Sequence, residues 1–167
     1  MPDEKNAVQS FLQQIQQLFS AELQLTQAIL KMMAKAKGLG LRKNLALHLA
    51  ETDQHKEALR LICKSFDAEA GGVLNADMQA ILEEGDKAIS NAGDNVDAVI
   101  IAGAKKVEAW EIAQYETVSQ AAKSLGYVGI AARLRFTQQE EIQTLTKLSF
   151  MEKELSFKEV QLATMNL

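Results

Sequence analysis

A single proline, Pro2, and nine glycines are all that interrupt 167 residues, and most of the glycines fall in groups. Gly38 with Gly40, Gly71 with Gly72, Gly93 beside Asp94 and Asn95, and Gly126 with Gly129 make four breaks. Between them the chain is rich in Ala, Leu, Glu, Gln and Lys, which lose least on entering a helix, and no stretch alternates apolar and polar residues as a strand does. The chain is therefore expected to be all-α. Gly85 and Gly103 stand inside helical patterns, where each costs about 1 kcal/mol relative to Ala and is read as a mark of close packing.

The breaks predict a first helix from about Asn6 to Ala36, opened by Asn6 and Gln9 as a capping pair, and a second from about Leu41 to Ala68. A shorter helix, about Ala76 to Asn91 behind the cap Asn75, occupies the central connection. A third long helix runs from about Asn95 to Ser124 behind Asp94, and a fourth from about Gly129 to beyond Leu155. Four long helices, two short turns and one long connection describe an antiparallel four-helix bundle of the ferritin-like type, with a crossover carrying a short extra helix.

Residues 1–167 are long enough for one well-packed core and short for two, so a single domain is expected. The 18 basic and 22 acidic residues leave a net charge of -4. That balance argues against binding nucleic acid, which needs clustered Lys and Arg to displace counterions. No apolar run approaches the roughly 20 residues that span a bilayer, and the polar N-terminus lacks a signal core. One cysteine, Cys63, forms no internal disulfide, so a reducing cytoplasm is the expected location. Cys63 lacks an activating neighbour and reads as inert; Trp110 lies off the apolar seam and reads as a packing or subunit-contact residue.

Following each apolar seam in steps of three and four finds a carboxylate near the middle of every long helix. The seams run Leu18, Glu22, Leu25 in the first helix and Leu45, His48, Glu51, His55, Leu59 in the second. They continue as Ala104, Glu108, Glu111, Tyr115, Val118 in the third and Leu134, Thr137, Glu141, Leu145 in the fourth. Antiparallel packing brings the midpoints to one level, so Glu22, Glu51, Glu108 and Glu141 should converge with Glu111 close by. Clustered carboxylates in an interior need protons or cations to stay there. Hard oxygen ligands with one or two imidazoles suit Fe or Mn, and the ligand count suggests two divalent ions bridged by carboxylates. The acids are similarly spaced in the two halves of the chain, a weak duplication that supports convergence on one site. Each residue also has a plainer reading: an acid as a solvated helix residue, His48 or His55 as a hydrogen-bonded core histidine. Tyr115, one turn beyond Glu111, reads as a hydrogen-bond partner of a ligating carboxylate.

These residues carry a resemblance. SAELQLTQAIL (Ser20 to Leu30), HLAET (His48 to Thr52), KVEAWEIAQYETV (Lys106 to Val118) and TQQEEIQTLTKL (Thr137 to Leu148) are similar to the YciF/YciE-type stress proteins of the ferritin-like superfamily, from about Phe11 to Leu148. The resemblance implies a small homodimeric cytoplasmic bundle linked to bacterial stress, with a carboxylate-rich metal site. It departs from other relatives of the superfamily, whose second and fourth helices each carry Glu-x-x-His. Here Glu51 is followed by Gln54 and Glu141 by Thr144, and a glutamine-like residue is expected in the family near position 55. A nitrogen-poor site weighs against a robust ferroxidase.

Two functions follow. In the first, a di-iron or di-manganese centre reacts with peroxide or oxygen, with Glu22 and Glu108 as terminal ligands, Glu51 and Glu141 as bridges, His48 and His55 as nitrogen donors and Glu111 as a further ligand or charge partner. Its substrate is a small oxidant or the metal ion itself. In the second, the bundle is a structural or interaction protein whose acids form a protonated or water-filled layer, and the amphipathic stretch from Phe150 to Leu167 packs on a partner or second subunit.

Overall fold

The computed structural model describes residues 2–165 and is helical throughout its ordered elements. α1 (Pro2–Lys35), α2 (Leu39–Lys64), α3 (Ala76–Ser90), α4 (Val96–Ser124) and α5 (Val128–Met165) follow in order, with a 3-10 turn at Gly93–Asn95. α1, α2, α4 and α5 form the antiparallel ferritin-like bundle, and α3 rides on the long connection, packed across α1 and α4. No described helix is long and apolar enough to cross a membrane.

The ends of the helices follow local chemistry. α1 begins at Pro2, whose fixed φ suits a first helical position, so the expected capping pair Asn6 and Gln9 lies inside the helix and caps nothing. α2 stops at Lys64, short of the expected Ala68. Asp67 turns into the left-handed region at φ 53°, where its N–H reaches Lys64 O at 3.1 Å and Ala68 N–H reaches Cys63 O at 3.0 Å. α4 ends by the same pattern at Gly126. Asn75 caps α3 as expected, accepting from Met78 N–H at 2.9 Å. Asp94 does not cap α4; its carboxylate reaches Lys37 Nζ at 2.8 Å. Asp97 instead fastens α4 to the first hairpin, accepting from the N–H groups of Lys37 at 2.7 Å and Gly38 at 2.8 Å. A Cβ at position 38 would lie 2.9 Å from the Asp97 carboxylate, so any larger residue there would push that carboxylate off its bonds to Lys37 and Gly38.

Gly85 and Gly103 do not mark close packing, because a Cβ added to either meets nothing within 4 Å. The core itself divides in two. One apolar cluster runs through Leu25, Ile29, Leu45, Ile100, Val107 and Leu148, the other through Phe11, Ile15, Leu18, Leu59, Tyr115 and Leu134. Between them all four long helices carry polar residues, and that layer is the site.

Candidate metal centre

The level is set by the seams. Glu22 stands between Leu18 and Leu25, His48 and His55 between Leu45 and Leu59, Glu108 and Glu111 between Val107 and Tyr115, and Glu141 between Leu134 and Leu148. Helical repeat turns all six inward, and each is 0–4% exposed. Donor atoms of His48, Glu108, Glu111 and Glu141 lie within 4.8 Å of one another, as do those of Glu22, His55 and Glu141. Glu141 belongs to both groups.

The contacts inside the layer are short yet misaligned for hydrogen bonding. His48 Nε2 lies 3.0 Å from Glu108 Oε1, and His55 Nδ1 lies 2.9 Å from Glu141 Oε1 and 3.4 Å from Glu22 Oε1. Even so, both imidazole nitrogens of His48, His55 Nδ1, and both carboxylate oxygens of Glu108, Glu111 and Glu141 have no hydrogen-bond partner. Buried polar atoms left unmatched each cost about 1–3 kcal/mol. Atoms crowded in this way could serve as ligands around a common centre, and the donor set of oxygens with two imidazoles fits a hard or borderline divalent cation. The residues present can hold a metal ion.

Two partners outside the groups orient members of them. Tyr115 O–H donates to Glu22 Oε1 at 2.5 Å. His55 Nε2–H donates to Glu140 Oε2 at 3.0 Å, so Nδ1, which faces Glu22 and Glu141, is the nitrogen that becomes a donor to a cation once it gives up its proton. Glu140 escapes the seam reading because it precedes Glu141 and lies half out of the core; the paired Glu-Glu was its only signal.

Glu51 is where the structure departs from the expected convergence. It is half-buried and belongs to neither donor group, while Thr52 takes the interior position between His48 and His55. The Glu51 carboxylate sits at the rim between α2 and α5, 3.5 Å from the Thr144 hydroxyl. Thr144, not Leu145, is the buried residue there.

Charge in the layer is balanced by protons when nothing else is bound. Burial opposes charge on His48, but Glu108 outweighs it and raises the ring to about 9. Burial likewise opposes charge on His55, and Glu141 and Glu22 raise it to about 11. Burial pushes Glu108 up to about 8, against the pull of His48. Glu111 rises well above the ordinary carboxylate range through burial and the neighbouring acids, with no imidazole to offset them. Burial raises Glu22 as well, whereas at Glu141 it is outweighed by His55, which holds that carboxyl below its ordinary value.

Comparison with known proteins places the chain. Residues 6–161 match a family described as a domain of unknown function (DUF892). Protein YciF of Escherichia coli K12 is 32% identical over 142 residues, covering 83% of this chain and 86% of YciF. The crystal structure of the E. coli stress protein YciF superposes with a TM-score of 0.83 at 31% identity, covering 87% of this chain and 94% of that one. YcfI from Rhodopseudomonas palustris superposes with a TM-score of 0.82 at 31% identity, covering 86% and 92%. The chain thus belongs to the DUF892 family, that of the YciF-type stress proteins.

Proposed function

We propose that the polar layer binds two divalent ions, Fe or Mn, and that the protein uses them to react with peroxide or oxygen under stress. The observation that carries this reading is the set of buried donor atoms gathered in two groups, crowded yet without aligned hydrogen bonds, with Glu141 common to both. His48, Glu108, Glu111 and Glu141 would hold one ion, and Glu22, His55 and Glu141 the other. When bound, such ions supply Lewis acidity and a change of oxidation state. The chain's own residues do the rest. Tyr115 orients the Glu22 carboxylate, Glu140 holds the proton on His55 Nε2, and the apolar clusters above and below keep bulk water out. We take the working assembly to be a homodimer, as the family resemblance implies, a point light scattering decides.

A second reading is favoured by one observation. The pairs His48 with Glu108 and His55 with Glu141 neutralise one another, so the layer can persist as a metal-free structural element. Glu111, buried with neither carboxylate oxygen partnered, is what that reading leaves unexplained. Elemental analysis of protein purified from cells grown in defined medium separates the two. The proposal expects Fe or Mn approaching two ions per chain; only traces, with no uptake when metal is added, would overturn it.

A further inference from the structure

The crossover helix leaves half of one seam uncovered. α3 packs over Ala28, Met32, Ile100 and Val107, the part of α1 and α4 nearer the first hairpin turn. Because α3 starts only at Ala76, the rest of the α1–α4 seam is open as a groove of about 640 Å³ bounded by α1, residues 73–77 and α4. That volume is within the range of small-molecule sites, roughly 300–1,000 Å³.

Its lining differs from the rest of the surface. Asp77 is the one ionisable side chain along it, although 24% of the chain is charged. In place of charges stand carboxamides, among them Gln13, Gln14, Gln17 and Gln114, whose side chains form no hydrogen bond among the described residues. The Gln14 side-chain oxygen is buried without a partner, so it is the Nε2 amide of Gln14 that the groove presents to a ligand. Carboxamides donate and accept at once, so they match a ligand that does both without carrying charge. With one exposed carboxylate and no basic side chain, the groove gives no electrostatic advantage to a phosphate, and a single solvated carboxylate holds a cation only weakly. On the α4 side the groove is walled by Trp110, whose half-buried ring packs against both apolar clusters and is held by them. Indole faces pack well against the C–H face of a saturated ring whose edge is polar.

The opposite rim is preformed. Asn75 N–H donates to Ser20 Oγ at 2.9 Å, Asn75 Nδ2 donates to Gln17 O at 3.2 Å, and Gln24 Nε2 donates to Asn75 O at 3.1 Å. A ligand therefore meets a wall that needs no ordering on binding. We propose that this groove is a binding site for an uncharged, hydroxyl-rich ring, a mono- or disaccharide, stacked on Trp110 and hydrogen-bonded by Gln14 and Gln114. None of the residues lining the groove is among the metal donors, so the metal-free protein should bind the ring as well.

Trp110 is the chain's one tryptophan, so its emission reports the groove directly. The full-length protein, metal-free and metal-loaded, is titrated with glucose, maltose and sucrose, with glycerol at matched osmolality as control. The proposal expects a saturable emission change with at least one sugar, the same in both metal states, and amide shifts in an NMR spectrum confined to residues 13–17, 73–77 and 110–114. In the Gln14→Ala, Gln114→Ala double variant, checked for an unchanged melting temperature, affinity should fall by about tenfold or more. If that variant unfolds, Gln114→Ala alone serves, with a fall of about fivefold expected. A linear, unsaturating change shared with glycerol would overturn the proposal, as would saturable binding that survives the substitutions.

Discussion

Glu141 is the residue on which both donor groups meet, and Glu51 the acid that the structure sets apart from them. Their substitution by glutamine, which keeps the shape and removes the charge, should therefore have unequal effects. Glu141→Gln is expected to lose both ions, or to weaken their binding by at least a hundredfold, whereas Glu51→Gln should retain them; isothermal titration with Mn(II) measures both. Equal losses would return Glu51 to the centre. The reason its placement was hidden in the sequence is physical. From His48 the seam can step three residues to Glu51 or four to Thr52, both directions lie on the inward half of the helix, and neither residue is apolar enough to decide. Glu22 posed no such ambiguity, because Leu18 and Leu25 flank it at four and three residues; Glu108 and Glu141 have Ala104, Thr137 and Thr144 at that spacing, and their inward direction follows only from the longer seams through Ile101 and Val118 and through Leu134 and Leu148.

At the scale of elements, the glycine breaks located every hairpin, and Asn75 announced the start of α3. What they did not show was how α2 ends. Its left-handed residue is Asp67, not a glycine, and nothing in the local sequence distinguishes it from a helical aspartate. Nor does composition separate a glycine that admits a close neighbour, such as Gly38, from one facing empty space, such as Gly85 or Gly103. These differences give stability predictions of a definite sign. Asp67→Gly relieves a left-handed conformation and should stabilise by about 1 kcal/mol. Gly85→Ala and Gly103→Ala remove backbone entropy from helix interiors and should each stabilise by about 1 kcal/mol, since the added methyl meets nothing. Gly38→Ala should destabilise through its clash with Asp97. Urea melts of the metal-free variants check all four.

For the whole molecule, the net charge of -4 conceals four carboxylates, Glu22, Glu108, Glu111 and Glu141, shut away from solvent. This couples stability to pH in a direction opposite to that of ordinary surface acids. Glu108 rises from 4.5 to about 8, His48 from 6.5 to about 9 and His55 from 6.5 to about 11. A group raised in the folded protein gives its full stabilisation below its unfolded value and loses it as pH climbs through its folded value. Glu141, held below its ordinary value, works the other way and offsets only part of this. The metal-free protein should therefore melt at progressively lower temperature from about pH 5 to about pH 11, Glu108 and His48 contributing up to about pH 9 and His55 beyond it. Metal binds the deprotonated ligands, so the rise in melting temperature on adding Mn(II) should grow across the same interval. Scanning calorimetry with and without metal tests this, and a flat metal-free profile would show that the layer is not protonated as described.

The most direct measurement is anomalous diffraction from crystals of the metal-loaded protein, recorded on either side of the iron and manganese absorption edges. The account predicts two peaks inside the bundle, one among His48, Glu108, Glu111 and Glu141 and the other among Glu22, His55 and Glu141. Absence of any peak at that level, or metal confined to the surface, would contradict it.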